Sequence, residues 1–140
     1  MRRLACAAAL LLAACSDPLG SSHLQIHVAG SYYGTIDDTK PVTVRYTVTN
    51  GTDATIALES CGSRVNARPE RKENTGWTPR GGLTCLAAVT PPVEVAPGAT
   101  LTDSTEIVGW GTWRLRIHVS AGSDMRDRVS QPFESGYPGG

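Results

Sequence analysis

The sequence predicts an all-β chain folded as one antiparallel β-sandwich of seven to eight short strands, and three observations carry that prediction. From Leu24 onward the dominant apolar period is two, the pattern of a strand with one buried face. Turn-forming residues recur about every ten positions, and helix signals are absent. The chain of 140 residues has room for one core, which typically occupies roughly 100 to 150 residues. A small closed barrel is the second reading. The sandwich is preferred because one disulfide and several aromatic residues supply a packed layer between two sheets.

Leu24, Ile26 and Val28 alternate with Gln25 and His27 in the first strand, and residues 30–38 form a polar connection. In residues 42–49, Val42, Val44, Tyr46 and Val48 share one face and four polar residues share the other. Asn50-Gly51 tolerates positive φ, so residues 54–58 are expected to return antiparallel through a tight hairpin. Residues 64–72 and 77–80 form a short hairpin around Glu73 to Gly76, with Trp77 packing inward. Residues 86–89 read as a strand that Pro91 and Pro92 break, because proline lacks the amide hydrogen a ladder needs. Val93 and Val95 lead into the Ala96-Pro97-Gly98 turn, and residues 101–108 form the next strand. After a corner at Gly109 to Gly111, Trp113, Leu115, Ile117 and Val119 alternate with Arg114, Arg116, His118 and Ser120. Residues 121–124 turn the chain, residues 128–134 add a final strand carrying Phe133, and residues 135–140 are expected to be a disordered tail.

The segment before the first strand has a different character. Arg2 and Arg3 precede an apolar run over residues 4–13, which is too short for the ~20 residues of a membrane-spanning helix. Leu12, Ala13, Ala14 and Cys15 resemble the bacterial lipobox. That resemblance implies a signal peptide over residues 1–14, a lipid on Cys15 and a flexible tether over residues 15–22, followed by the sandwich at 23–134. The expected location is the cell envelope, on its periplasmic or surface side. Ser16 after Cys15 favours the outer membrane where the cell has one. More than one acyl chain is generally needed for stable anchoring, which a triacylated cysteine meets.

Cys6 leaves with the signal peptide and Cys15 is taken by lipid, so Cys61 and Cys85 remain. In an oxidising compartment that pair is expected to form a disulfide. Neither cysteine belongs to a C-x-x-C pair and no histidine lies near them, so a metal site is disfavoured and no cofactor is expected. Thirteen basic and 13 acidic residues become 11 and 13 once Arg2 and Arg3 are lost. A mature charge near −2 offers no general attraction for nucleic acid.

Several motifs occur in a shared order. Thr49-Asn50-Gly51-Thr52 closes the valine-rich strand; Cys61-Gly62, Trp77 and Cys85 follow; then come Ala96-Pro97-Gly98, Gly111-Thr112-Trp113-Arg114-Leu115 and Ser130-Gln131-Pro132-Phe133. From about Leu24 to Phe133 this order resembles the bacterial immunoglobulin-like domains of envelope lipoproteins. It also resembles the intracellular proteinase inhibitor domain named BsuPI. The first resemblance implies an immunoglobulin-like sandwich that binds or supports another envelope component and is not an enzyme. The second implies protease inhibition, although no residues here match an inhibitory loop. Cys61 and Cys85 do not flank a core tryptophan as in antibody domains, so a loop-tethering bridge is expected.

Catalytic signatures are weak. No G-x-S-x-G elbow occurs, and the adjacent Asp37 and Asp38 suit a solvated turn. His23 and His27 share a strand face that His118 could meet through adjacent pairing, though exposed polar roles are the simpler account. Arg64, Arg68, Arg71, Lys72 and Arg80 oppose only Glu70 and Glu73 within their segment, a local excess suited to lipid phosphates or an acidic partner. Trp110 and Trp113 are assigned to corner and core packing. Asn50-Gly51-Thr52 matches a glycosylation sequon, which the hairpin explains more simply.

Overall fold

The computed structural model describes residues 23–85 and 90–139, so the expected signal peptide, Cys15, the tether and the strand at 86–89 lie outside the described residues. Within them the regular elements are all strands. The first half contains β1 (Leu24–Val28), β2 (Tyr32–Gly34), β3 (Pro41–Asn50), β4 (Ile56–Leu58), β5 (Ser60–Cys61) and β6 (Arg64–Val65). A hairpin of β7 (Arg68–Glu73) and β8 (Gly76–Pro79) follows, and then β9 (Val93–Val95) and β10 (Thr100–Val108). The chain closes with β11 (Gly111–Ala121), β12 (Asp124–Val129) and β13 (Phe133–Gly136).

These strands form a sandwich. One sheet has the order β1-β3-β10 and is antiparallel throughout. The other is built on β11, which pairs with β12 and β13 along one edge and with β4 and β7 along the other. Beyond them lie β9 on β4, β8 on β7, and β2 in parallel with β13. The main strands enter the first sheet twice, cross to the second at β4, return at β10 and finish in the second, which is an immunoglobulin-like order.

Between the sheets, Val44, Tyr46 and Val48 meet Ile56, Leu58, Trp113, Leu115, Ile117 and Val119, all fully buried. Each large apolar side chain buried this way contributes roughly 1.5–3 kcal/mol. Phe133 joins them, with Tyr33 edge-on to its ring at 5.5 Å. Tyr46 faces Asp103 across the β3–β10 pairing, and burial together with that carboxylate pushes its phenol upward.

The strand count exceeds the expected seven to eight because predicted strands are interrupted. The edge of β11 opposite β12 is the clearest case. Leu58 faces Val119 while Arg68 faces Arg116, so the nine residues 59–67 on one side span only Ile117 and His118 on the other. Residues 59–67 therefore loop out, as the β5–β6 ribbon. A second interruption splits the expected strand at 128–134. The Ser130 backbone amide donates to the Leu115 carbonyl (2.9 Å) and the Leu115 amide donates to Ser130 Oγ (2.9 Å), which ends β12 and offsets β13.

Several expectations are corrected. Asn50-Gly51 does not turn a hairpin: β3 pairs with β1 and β10, while β4 belongs to the opposite sheet. The buried Asn50 is a corner post instead. Its Nδ2 donates to the carbonyls of Ala54 (2.8 Å) and Val95 (2.9 Å), and its Oδ1 accepts from the Thr52 amide (3.0 Å) and hydroxyl (2.7 Å). This burial also withdraws the sequon asparagine from a glycosylating enzyme in the folded state. Gly51 is required for close approach, because a Cβ there would lie 2.7 Å from the His23 carbonyl oxygen. The Pro97-Gly98 turn forms as predicted, with Gly98 at φ +73°.

The connection at 30–38 contains β2, and the expected tail is ordered through β13. Ser135 is buried, the Thr35 amide donates to the Gly136 carbonyl (2.8 Å), and the Tyr32 hydroxyl donates to that of Tyr137 (2.6 Å). Parallel pairing between remote segments leaves no local turn signal, which is why periodicity misses it. Trp77 faces outward, while Trp113 is fully buried; Trp110, at the corner, is 43% exposed.

Candidate functional site

The outer face of the second sheet carries a continuous polar network. Alternation along β11 turns Trp113, Leu115 and Ile117 inward and Arg114, Arg116 and His118 outward. Antiparallel register then sets Glu70 of β7 opposite Arg114 and Asp127 of β12 opposite His118. Glu70 is only 3% exposed. It accepts from Arg114 Nε (2.7 Å), Arg116 Nε (2.6 Å) and Arg116 Nη2 (3.3 Å). Asp127 accepts from Arg116 Nη1 (3.1 Å) and lies 3.0 Å from His118 Nδ1. The row ends at Trp77, whose ring has the Arg114 guanidinium 4.4 Å from its centroid and Lys72 Nζ at 5.4 Å.

The electrostatics follow from that geometry. Burial opposes ionisation of Glu70, but hydrogen bonds from Arg116 and Arg114 outweigh it and hold the carboxyl below its ordinary range. The His118 hydrogen bond, helped by Arg116, lowers Asp127 despite partial burial. Both acids are thus ionised at neutral pH, and the face presents fixed, largely compensated charges around one aromatic ring. Such a surface suits recognition by shape and by hydrogen bonding at short range more than long-range steering.

The five cations singled out in the sequence do not form one patch. Arg64 reaches across to the first sheet, with Nε 3.5 Å from Asp103 Oδ1 and Nη2 donating to Ser104 Oγ at 3.2 Å. Arg68 pairs with Glu59. Arg71 Nε donates to Glu73 (2.9 Å) while its guanidinium lies 5.9 Å from the centroid of Trp113, and Arg80 shares Glu73 at 3.2 Å. Lys72 belongs to the Trp77 row. Two of the balancing acids, Glu59 and Asp103, lie outside the segment, so counting charge within it overstates the excess.

Cys61 and Cys85 form the disulfide, with Cα atoms 5.3 Å apart. Cys61 is half-buried in the ribbon and Cys85 is exposed, so the bridge ties the loop after β8 to the β5–β6 ribbon outside the core, as a loop tether should. The histidines are separated: His27 lies on β1 of the first sheet and His118 on β11 of the second, so adjacent-strand pairing does not join them. Among the described residues, no three His, Cys, Asp or Glu side chains group as metal ligands. Asp37 closes its own turn, accepting from the Thr39 amide (2.8 Å) and hydroxyl (2.6 Å).

Sequence reasoning placed Arg114, Arg116 and His118 on a polar strand face without assigning them a role. The register that supplies Glu70 and Asp127 is the missing information.

No family model matches this chain, and no curated protein matches it. Among solved structures, one described as "X-ray structure of Northeast Structural Genomics Consortium target SoR45" is similar at 11% identity and a TM-score of 0.49, covering 83% of this chain and 84% of that one.

Proposed function

We propose that this chain is a bacterial envelope lipoprotein, tethered through lipid on Cys15, whose immunoglobulin-like domain is a non-enzymatic binding or structural module. The observation that supports binding is the outer face of the second sheet. There Trp77, Arg114 and Arg116 are held by Lys72, Glu70 and Asp127 before any partner arrives. Tryptophan and arginine are the side chains that most often anchor protein interfaces. Holding them in place beforehand lowers the entropy lost on association. The partner expected is another envelope protein, met within reach of the tether.

A photoreactive amino acid at Lys72 or Arg114, introduced in cells expressing the full chain, tests the reading. A defined adduct that disappears with Trp77→Ala supports it. Absence of any adduct at either position counts against it. Labelled palmitate should enter the chain and fail to enter Cys15→Ala; no incorporation into the unaltered chain would remove the anchor. Stoichiometric slowing of a subtilisin-like protease would favour the inhibitor reading instead.

A further inference from the structure

At the edge of the sandwich away from the β5–β6 ribbon, β1 and β12 border a slot of about 380 Å³. Leu24, Ile26, His27, Arg128, Val129 and Gln131 line it. Arg128 faces Ile117 across the β11–β12 pairing, so its side chain points between the sheets. Its Nε and Nη2 are buried and have no hydrogen-bond partner among the described residues. A guanidinium is always charged, and burial without a counter-charge is costly. Such an orphaned group is a reason to look for an absent ion or ligand.

Among the described residues no carboxylate pairs with this cation. Asp127 also lines the slot, but its carboxylate is engaged by Arg116 and His118. His27 Nδ1 lies 3.1 Å from Gln131 Nε2, which also donates to the Val28 carbonyl at 3.2 Å. An anion entering the slot would thus meet Arg128 beside a neutral amide.

The backbone narrows the class of anion. Ala29 donates to Arg45, and Gly51 donates to His23, so the odd-numbered positions of β1 bond to β3. By alternation Leu24, Ile26 and Val28 turn their amide and carbonyl groups toward the outer edge, where Gln131 meets the Val28 carbonyl. Among the described residues β1 is the terminal strand of its sheet. The edge beside Arg128 is therefore a template for one more strand.

We infer that the slot recognises an extended peptide that adds to the edge of β1 and delivers a side-chain carboxylate to the Arg128 guanidinium. A free phosphate would use the cation alone, whereas a peptide strand uses the cation and the edge together. The inference rests on the reading of the domain as a binding module and gives that module a second surface, separate from the Trp77 row.

The test uses the full chain in detergent and a blocked heptapeptide of alternating threonine and valine with one central glutamate. Binding should shift the amide resonances of Leu24 and Ile26. It should weaken roughly tenfold or more with glutamine in place of glutamate, with Arg128→Met, or with alternate peptide amides methylated. Arg128→Lys, which keeps the charge, should retain part of the affinity and guards against a folding defect in Arg128→Met. Equal affinity for the glutamate and glutamine peptides, no loss on methylation, or no binding at all would overturn the proposal. So would inorganic phosphate or phosphatidylglycerol vesicles displacing the peptide at equal concentration, which would mark a simple anion site. Adducts at Lys72 that persist while the peptide fails would remove this slot and leave the envelope-module reading standing.

Discussion

On one side of the sandwich, residues 59–67 leave the second sheet and cross to β10, where Arg64 meets Asp103 and the Val65 amide donates to Asp103 Oδ2 at 2.9 Å. The Cys61–Cys85 bridge then ties this crossing to the loop that follows β8. On the other side, β1 and β12 border a slot, and Gln131 alone reaches β1 among the described side-chain hydrogen bonds. The two edges contain similar residue types, but they satisfy them differently. At the closed edge each buried or half-buried charge has a partner within the chain, so these groups stabilise the fold. At the open edge the half-buried Arg128 keeps two buried guanidinium nitrogens without a partner among the described residues, so the same residue type costs stability until something binds.

The largest loss of stability is expected at neither edge but at the corner between the sheets, at Asn50. Asn50→Ala leaves the carbonyls of Ala54 and Val95 and the Thr52 amide without its side chain, and should lower unfolding stability by about 3–4 kcal/mol in chemical denaturation. Replacing Cys61 and Cys85 together by alanine should cost about 3 kcal/mol, because the bridge restricts a loop with a sequence separation of 24 in the unfolded chain. The open edge should respond with the opposite sign. Arg128→Met removes an uncompensated charge while keeping apolar bulk, and should raise stability by about 1–2 kcal/mol. Loss of stability would mean that Arg128 has a stabilising partner in the intact chain. Arg64→Met at the closed edge should cost about 1 kcal/mol, since its pairing with Asp103 is partly solvated.

Acid should act on the outer face of the second sheet with a gentler slope. Glu70 and Asp127 titrate lower in the folded chain than their ordinary values of 4.5 and 3.8, so the folded state binds fewer protons than the unfolded state there. Their contribution is fully present above about pH 5 and is lost as pH falls through the folded values. In denaturation at a series of pH values, Glu70→Gln should flatten the decline expected between about pH 5 and 3. An unchanged slope would show that Arg114 and Arg116 do not hold that carboxylate in solution.

Much of the fold was legible because alternation maps directly onto burial. Val44, Tyr46 and Val48, and Trp113, Leu115, Ile117 and Val119, are all buried as their period of two requires. The Asn50-Gly51 turn misled because the pair satisfies two different needs. A hairpin uses a positive φ at glycine; here glycine admits the His23 carbonyl while asparagine bridges backbone groups in the corner between sheets. The split of the strand facing β11 was invisible because an insertion of this kind changes register without changing the local pattern.

The candidate site was legible only in part. Five cations stood out by their crowding, yet Glu59 and Asp103, which neutralise two of them, are remote from the 64–80 segment or outside it. Arg128 drew no attention, since one arginine in a polar strand looks solvated.

By itself the sequence determined the long strands β3 and β11 with their buried faces, the Gly98 turn and the cysteines available to join, because each depends on local spacing or on residue chemistry. Only the tertiary structure decided which strands neighbour one another, which acid neutralises which arginine, and which guanidinium keeps buried nitrogens without a partner among the described residues. Those outcomes depend on register between distant segments, where a slip of one residue exchanges the two faces of a strand, and on the few ångströms that separate a paired charge from an orphaned one.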